Sequence, residues 1–522
     1  MKNNNHNNII HCLIFSSAMF VTFISHAQNN IELKEPRIEI FFDFELPVYG
    51  NGSEKEPYNY INKKRTQAIL TESNVHVYFW LEGFADAVEF GPEINFSITD
   101  PDLTATPASI NVLARDLVDP LADKSHISRS IVLSEYNNLA ESMGNGIYKY
   151  NLPYDKTKTF IIGTLKGYSD PDYKQIPYNG LPDGIAMNTD VIEEYRINNQ
   201  SKDAVRKSED LLSLSESEYG WHADNDGILY IKTETGNLPG TNQEDDWRVL
   251  TDRSDSMVNF NGFGHTTAPV IEIAGFMVSF VVTDPDRNIS NSRVFAISPA
   301  LNTYVHDMTF LYCGSEDIIA AVNGGDAEVH VYRNQYIGIG RDGGPIVISN
   351  QNGAPPYNFA SYHDLIVHHG FRISYSSGED AGFLPFVPAG VLGTYHGGKV
   401  NESELYRSIA LSYNNSRAPA FQFPTGNAPE DPRDANAYTA NIWDIHVERS
   451  REFFSFHIDG VRVSRSYLNV VGLGLCREYG TSLWESCVFE AETDFNILGR
   501  LKDNSVAFRN CLIRSNKRGP RT

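Results

Sequence analysis

The chain has 522 residues, with 43 Lys or Arg against 66 Asp or Glu and a formal net charge of −23. Hydrophobic residues make up 41% and charged residues 21%, a balance that supports a large core and excludes a disordered acidic chain. The negative charge, with no basic run longer than residues 63–65, argues against nucleic acid as a partner.

The first 27 residues predict a secretory signal peptide. Lys2 lies in a polar start, residues 13–24 are apolar, and Ser25-His26-Ala27 forms a small-x-small cleavage site. The apolar stretch is shorter than the roughly 20 residues that span a bilayer, and no later segment approaches that length. We expect a mature chain that begins at Gln28, has no membrane span, and is secreted, periplasmic or held at the cell surface.

Two β-rich regions follow the predicted signal peptide. Residues 28–95 predict an N-terminal cap and the first strands of the main fold, because residues 38–42 and 75–80 combine β-branched and aromatic residues. Residues 96–255 predict an inserted β-rich subdomain, because the composition changes towards Asp, Ser, Asn and Pro. A charged stretch over residues 201–218 fits either one helix or a solvated linker.

Residues 256–522 contain a recurring block of an apolar residue, a polar residue, an Asp, Asn or Ser marker, and an apolar–any–apolar sequence. The markers are Asp307, Asn334, Asp364, Ser408, Asp444, Ser466, Ser486 and Asn510, at intervals of 27, 30, 44, 36, 22, 20 and 24 residues. A period near 20 that grows by loop insertion predicts an all-β fold, a right-handed parallel β-helix (solenoid) with the β-rich subdomain inserted near its N-terminus.

The block also predicts where its side chains point. The marker is expected to adopt the left-handed conformation, with its apolar neighbours facing inward. The residues before the markers are expected to form an outward row that is largely basic: His306, Arg333, His363, Arg407, Arg465 and Arg509.

The cysteines fit neither a disulfide framework nor a zinc site. Four remain after the signal peptide, and none forms a CxxC pair: Cys313, Cys476, Cys487 and Cys511. Cys487 and Cys511 occupy the same block position in successive repeats, which favours an internal stack over a disulfide.

Three segments resemble known carbohydrate-active proteins. Residues 48–58 resemble the glycine-rich turn that opens many secreted pectate-lyase-like β-helix enzymes, where a helix follows to cap the first coil; residues 61–70 would be that helix. Residues 145–153 and 226–231 resemble the β subdomain of a β-helical glycoside hydrolase family that includes α-L-fucosidases and xylanases. The resemblance implies a secreted right-handed β-helix that acts on carbohydrate.

Hydrolysis of a glycosidic bond needs two carboxyl groups, one as acid and one as base or nucleophile. Asp342 lies in a glycine-rich segment, and Asp380, with Glu379 beside it, lies in a long insertion one repeat later. Residues 377–382 are similar to the Ser-Asp-Ala-Gly segment that carries a catalytic Asp in the resembled family. These three carboxylates are the candidate catalytic residues. The candidate substrate contacts are Arg341, Arg372, Tyr375, Tyr395, His396 and His457.

Three functions stay open from the sequence. The first is an exported glycoside hydrolase that cleaves a polysaccharide or oligosaccharide. The second is a polysaccharide lyase acting on a uronic-acid polymer, with Lys399 as base, and the third is a non-catalytic carbohydrate-binding or adhesin β-helix. No metal site or cofactor is expected, apart from Ca²⁺ for a lyase, and the oligomeric state is left open.

Overall fold

The computed structural model describes an all-β protein. Among the described residues the only α-helix is α1 (Leu211–Glu216), and the 3₁₀ turns are Arg115–Leu117, Leu133–Leu139 and Ala435–Ala437. The described residues are 33–48, 50–61, 74–85, 96–98, 107–128, 130–152, 160–164, 208, 210–218, 220–224, 226, 228–233, 235–239, 247–251, 258–260, 269–279, 293–297, 302–311, 317–323, 328–337, 346–350, 357–368, 372–373, 384–385, 394–395, 400–406, 409–412, 419–421, 431, 433–450, 452–454, 460–470, 481–491 and 506–515.

Three parallel sheets organise the chain. The first contains, in spatial order, β1 (Arg37–Asp43), β2 (His76–Glu82), β5 (Ser109–Ala114), β15 (Val270–Ala274), β18 (Asn302–His306), β21 (Glu328–Tyr332), β24 (Tyr357–Tyr362), β29 (Val400–Tyr406), β32 (Ala440–Trp443), β35 (Val461–Ser464), β37 (Ser482–Glu485) and β39 (Val506–Arg509). The second contains β3 (Phe84–Ala85), β6 (His126–Ser128), β16 (Met277–Ser279), β19 (Thr309–Leu311), β22 (Gln335–Ile337), β25 (Leu365–His368), β30 (Ile409–Ser412), β33 (His446–Ser450), β36 (Tyr467–Val470), β38 (Val488–Ala491) and β40 (Leu512–Ser515). The third contains β4 (Phe96–Ile98), β14 (Val258–Phe260), β17 (Arg293–Ile297), β20 (Asp317–Asn323), β23 (Ile346–Asn350) and β28 (Thr394–Tyr395). One more parallel pair joins β31 (Pro419–Phe421) to β34 (Glu452–Phe454).

The chain visits the three sheets in a fixed order, and one passage makes one repeat. From β18 it passes through a two-residue bend into β19, then into β20, and β21 begins the next repeat. Equivalent strands of successive repeats pair in parallel and in register, with Val305 opposite Val331 and Phe310 opposite Tyr336. The predictions of an all-β fold and of parallel strand pairing are confirmed.

In-register pairing stacks like residues inside the protein. The inward row of the first sheet includes Val305, Val331, Ile442, Val463 and Trp484, all fully buried in one continuous core. Paired strands lie about 4.8 Å apart, so each apolar side chain packs on its counterpart in the next repeat. No single repeat can bury its inner face alone, and each repeat is therefore stabilised by its neighbours.

The bend between the first and second sheets requires a left-handed residue. Its first residue has a positive φ in eight repeats: Gly275, Asp307, Arg333, His363, Asp444, Arg465, Ser486 and Asn510. This corrects the predicted alignment in three of them. There the left-handed residue is Arg333, His363 or Arg465, and the predicted markers Asn334, Asp364 and Ser466 follow it as the second bend residue.

The second bend residue points inward, and the polar side chains at this position, such as Asn334, Asp364 and Ser466, bind the backbone of the preceding repeat. Asn334 Oδ1 accepts a hydrogen bond from the Met308 N–H at 3.0 Å, and Asn334 Nδ2 donates to the Val305 carbonyl at 3.1 Å. Asp364 Oδ1 accepts from the Asn334 N–H at 2.8 Å. The bend turns buried backbone groups away from the sheet, and these side chains replace the missing partners.

Cys487 and Cys511 take this same position in the last two described repeats. Strand pairing on both sides of the bend places them opposite each other, and both are free thiols, as predicted. Burial raises the pKa of the Cys487 thiol to about 12, so it behaves as a small core residue. Cys313 and Cys476 lie outside the described residues.

An antiparallel part is inserted between β6 and β14. One sheet contains β7 (Ser130–Val132), β10 (Phe160–Thr164) and β13 (Trp247–Thr251). The other contains β8 (Ala140–Gly144), β9 (Ile147–Tyr150), β11 (Gly220–Ala223) and β12 (Leu229–Lys232), and packs around the buried Tyr150 and Trp221. The predicted subdomain of residues 96–255 therefore also includes β4, β5 and β6, which belong to the parallel sheets.

Residues 50–58 cover the outer edge of β1. The Phe41 N–H donates to the Gly52 carbonyl at 3.0 Å, and the Tyr58 N–H donates to the Phe41 carbonyl at 2.9 Å. A Cβ at Gly50 would lie 2.2 Å from the Glu56 and Pro57 carbonyl oxygens, so only glycine fits this turn. The glycine-rich turn thus protects an edge strand from pairing with another chain. Residues 62–70 of the predicted capping helix lie outside the described residues.

Replacing the inward Asn334 should destabilise the protein strongly. Asn334→Ala leaves the Met308 N–H and the Val305 carbonyl buried without their partner, so we expect a loss of about 2–4 kcal/mol in the free energy of unfolding. The control is Asn302→Ala, which removes an exposed side-chain contact to the Glu328 N–H and should cost less than about 1 kcal/mol. Equal losses in chemical denaturation would contradict the role given to Asn334.

Candidate functional site

The connections between sheets differ in length. Connections from the third sheet to the first are mostly short, such as residues 298–301, 324–327 and 396–399. Connections from the second sheet to the third hold the largest insertions: residues 129–257, with the antiparallel part, and residues 369–393 between β25 and β28. Long loops on one side of a repeating scaffold are where such proteins usually bind their ligands.

The predicted catalytic carboxylates fall in two adjacent connections of this second-to-third kind. Asp342 lies between β22 and β23, and Glu379 and Asp380 lie between β25 and β28. The flanking strands are direct neighbours, because β22 pairs with β25 and β23 pairs with β28. The predicted site residues that lie outside the described residues are Arg341, Asp342, Tyr375, Glu379, Asp380, His396 and His457.

Two predicted substrate contacts fall in described strands. Arg372 lies in β26 (Arg372–Ile373), where it pairs with Pro385 of the antiparallel β27 (Leu384–Pro385). Tyr395 lies in β28, the last strand of the third sheet, opposite Ile348. The insertion that carries Arg372 also meets the antiparallel part of the chain, because β10 lies against β26. The two largest insertions therefore converge at the corner between the second and third sheets.

The predicted outward basic row is not a single row, because it combined two structural rows, although two of its members, Arg465 and Arg509, do face solvent. His306 is in register with Tyr332 and Tyr362, whereas Arg333 is in register with Asp307. His306 does not face solvent, since its side chain is only 5% exposed. Its ring stacks on Tyr332 with centroids 4.6 Å apart, and Tyr332 stacks on Tyr362 at 4.8 Å.

Arginines of these rows are paired with carboxylates. Arg333 Nε donates to Asp307 Oδ1 at 2.7 Å, and Arg465 Nε donates to Asp444 Oδ1 at 2.8 Å. Arg509 is paired with Glu485 at 2.7 Å. A basic surface that would attract a uronic-acid polymer is therefore largely neutralised here. Arg407 of the predicted row lies outside the described residues.

A buried ion network surrounds His306. Its Nδ1 lies 2.7 Å from Asp307 Oδ2, and its Nε2 lies 3.0 Å from Glu272 Oε1. Burial opposes protonation of the ring, but the hydrogen bonds to Asp307 and Glu272 outweigh it and raise the pKa of His306. Burial likewise opposes ionisation of Asp307, yet hydrogen bonds from Arg333 and His306 lower its pKa.

This network joins three successive repeats. Glu272 comes from β15, His306 and Asp307 from the next repeat, and Arg333 from the one after. Both ring nitrogens of His306 face carboxylates, which leaves neither for a substrate. The sequence pattern does not reveal this cluster in the predicted register, although its members lie about one repeat apart. The correct register of the repeats brings them together.

Asp364 is a second buried carboxyl group, 2% exposed, in the interior of the next repeat. Its oxygens accept hydrogen bonds from the Asn334 N–H and the Ser361 hydroxyl, both at 2.8 Å. Burial nevertheless raises the pKa of Asp364 to about 8. The folded chain therefore holds this carboxyl largely protonated at neutral pH, where a neutral side chain suits the core.

Comparisons of the chain with protein-family profiles, curated proteins and solved structures found no match. In the part of the chain that the structure describes, no cluster of three or more His, Cys, Asp or Glu side chains is arranged to hold a metal ion. Within that same part, no helix has the length and apolar character to cross a membrane.

Asp364→Asn should remove a loss of folding stability that occurs as the pH rises. The folded state holds a proton that an unfolded Asp loses near pH 4, so the stability of the wild type is greatest below that pH and falls as the pH rises to about 8. An amide in the same place stays neutral at every pH. We therefore expect the free energy of unfolding of the variant to be about 1–3 kcal/mol higher than that of wild type at pH 8.5, and nearly the same at pH 4.

Asp444→Asn is the control for this measurement. Asp444 is paired with Arg465 and partly exposed, so its substitution should give no gain at pH 8.5. The measurement is chemical denaturation at several pH values. An Asp364→Asn variant that is no more stable than wild type at pH 8.5 would contradict a raised pKa for Asp364 in the folded chain.

Proposed function

We propose that the chain is a right-handed parallel β-helix that acts as an exported glycoside hydrolase on a polysaccharide or oligosaccharide. Three parallel sheets visited in a fixed order support the β-helix, and connections between parallel strands are right-handed in about 98% of cases. The observation that carries the activity is the convergence of both large insertions, the antiparallel part and residues 369–393, at one corner.

The proposed chemistry uses carboxylates from adjacent repeats at that corner. Asp342 and Asp380 are one repeat apart in the strand order, so one of them protonates the leaving oxygen and the other acts as base or nucleophile, with Glu379 beside them. Arg341, Arg372 and Tyr375 belong to the same connections, Tyr395 belongs to the strand that ends the second of them, and His396 directly follows that strand. These five residues are proposed to hold the sugar. His457 follows β34 and is proposed as a more distant contact.

The second candidate is a polysaccharide lyase with Lys399 as base and Ca²⁺ to neutralise a uronate. The basic residues that favoured it from the sequence are the ones now paired with carboxylates, namely Arg333, Arg465 and Arg509. The net charge of −23 also opposes a polyanionic substrate. We therefore rank hydrolysis first. The predicted signal peptide supports export of either enzyme.

Substitution of the proposed carboxylates tests the assignment. Asp342→Asn and Asp380→Asn should each lower turnover by about 100-fold or more, because each removes an acid or base, while the unfolding temperature stays close to that of wild type. Asp431→Asn is the control, since Asp431 is an exposed carboxylate paired with Arg433 in another connection, and it should keep full activity.

The assay is a panel of purified polysaccharides treated with the mature chain. New reducing ends without an unsaturated product support hydrolysis, whereas an ultraviolet-absorbing unsaturated product identifies a lyase. Binding without cleavage would contradict an enzymatic function and support a carbohydrate-binding one. Near-wild-type turnover of Asp342→Asn or Asp380→Asn would remove that residue from the site.

A further inference from the structure

His306 needs an extra proton to satisfy its surroundings. A neutral imidazole carries one N–H and can donate to only one carboxylate. Here Nδ1 faces Asp307 and Nε2 faces Glu272, at 2.7 and 3.0 Å, and neither carboxylate can donate when ionised. The geometry therefore fits a doubly protonated ring, and loss of its proton leaves two acceptors facing each other.

The groups around the ring come from every described element packed on it. Glu272 faces it from β15, Asp307 from its own bend, and Tyr332 stacks on it from β21, with Arg333 held on Asp307 from the following bend. Arg333 lies over the Tyr332 ring at 4.7 Å. One positive ring thus balances a carboxylate of the preceding repeat, while Arg333 balances Asp307.

We propose that Glu272, His306 and Asp307 form a proton-dependent lock between successive repeats, which holds the stack together while the His306 ring is doubly protonated and loosens when the ring loses its extra proton. The proposal does not depend on the enzymatic activity. Its location gives it a consequence for that activity, because the next two repeats send β22 and β25 into the connections that contain Asp342 and Asp380. Loss of this proton should therefore loosen the scaffold beside the proposed site.

The direction of the effect follows from linkage. The pKa of His306 is raised in the folded state, so the lock is complete below the unfolded value of about 6.5 and is lost as the pH rises through the folded value. In that window the folded state holds one proton that the unfolded chain has lost. The unfolding equilibrium constant then rises about tenfold per pH unit from this group.

Glu272→Gln tests the lock while keeping its hydrogen bonds. The Gln amide can donate to Nε2 of a neutral ring, whose Nδ1 still donates to Asp307, so the extra proton is no longer needed. Glu328→Gln is the matched control, because Glu328 lies 3.5 Å from His330 in the next repeat, in a more exposed pair. Both variants are made with Asp364→Asn, which removes the contribution of Asp364.

Denaturation between pH 6 and 9 gives the readout. The Asp364→Asn parent and its Glu328→Gln variant should show the tenfold dependence per pH unit between about pH 6.5 and the folded pKa of His306, and the Glu272→Gln variant should lack it. The same slope in the Glu272→Gln and Glu328→Gln variants would overturn the proposal.

Hydrogen exchange in the Asp364→Asn protein tests the same idea without altering the lock, should the Glu272→Gln variant fail to fold. Between pH 6.5 and 9, after correction for intrinsic exchange, protection in β18 and β21 should fall at least tenfold more than in β35 and β37. In β35 and β37 the carboxylate of Glu485 is held by two arginines, Arg462 and Arg509, rather than by a histidine. Equal changes in both pairs of strands would overturn the lock.

Discussion

In-register parallel pairing between successive repeats is the constraint on which the rest of the structure depends. Each residue lies about 4.8 Å from its counterpart in the next repeat, so every side chain must be compatible in size and charge with the side chain stacked on it. Apolar residues satisfy this condition by stacking, as Val305 does on Val331. Rings satisfy it too, in the column of His306, Tyr332 and Tyr362.

The same pairing decides what polar groups can do. Like charges one repeat apart would repel, and along the bend row Asp307 is followed by Arg333, and Asp444 by Arg465. In the interior, the side-chain amide of Asn334 forms hydrogen bonds with the backbone of the preceding repeat. Asp364 occupies an equivalent place but suits it only when protonated, and His306 suits its place between two carboxylates only with an extra proton. We therefore expect the stability of the middle repeats to fall as the pH rises through the folded pKa values of these two groups.

The stack also explains where function is placed. The two-residue bend leaves little room for insertion, because its left-handed residue and its inward partner are fixed by their neighbours. Of the described connections between these two sheets, only residues 115–125, between β5 and β6, are longer. The connection between the second and third sheets has no such requirement, and it carries both the antiparallel part and the segment with Glu379 and Asp380. A rigid stack that carries its variable segments at one corner can hold a substrate without disturbing its core.

The sequence alone determined the repeat, its all-β character, the strand positions around the markers and the stacking of Cys487 on Cys511, because these follow from spacing and from apolar periodicity. Only the tertiary structure decided the register at Arg333, His363 and Arg465. At these bends two polar residues stand next to each other, and the sequence pattern allows either of them to be the left-handed residue. Which one it is depends on which side chain reaches the backbone of the neighbouring repeat. The burial of His306 and the protonation of Asp364 were likewise decided by neighbours 26 to 34 residues away, which local pattern does not reveal.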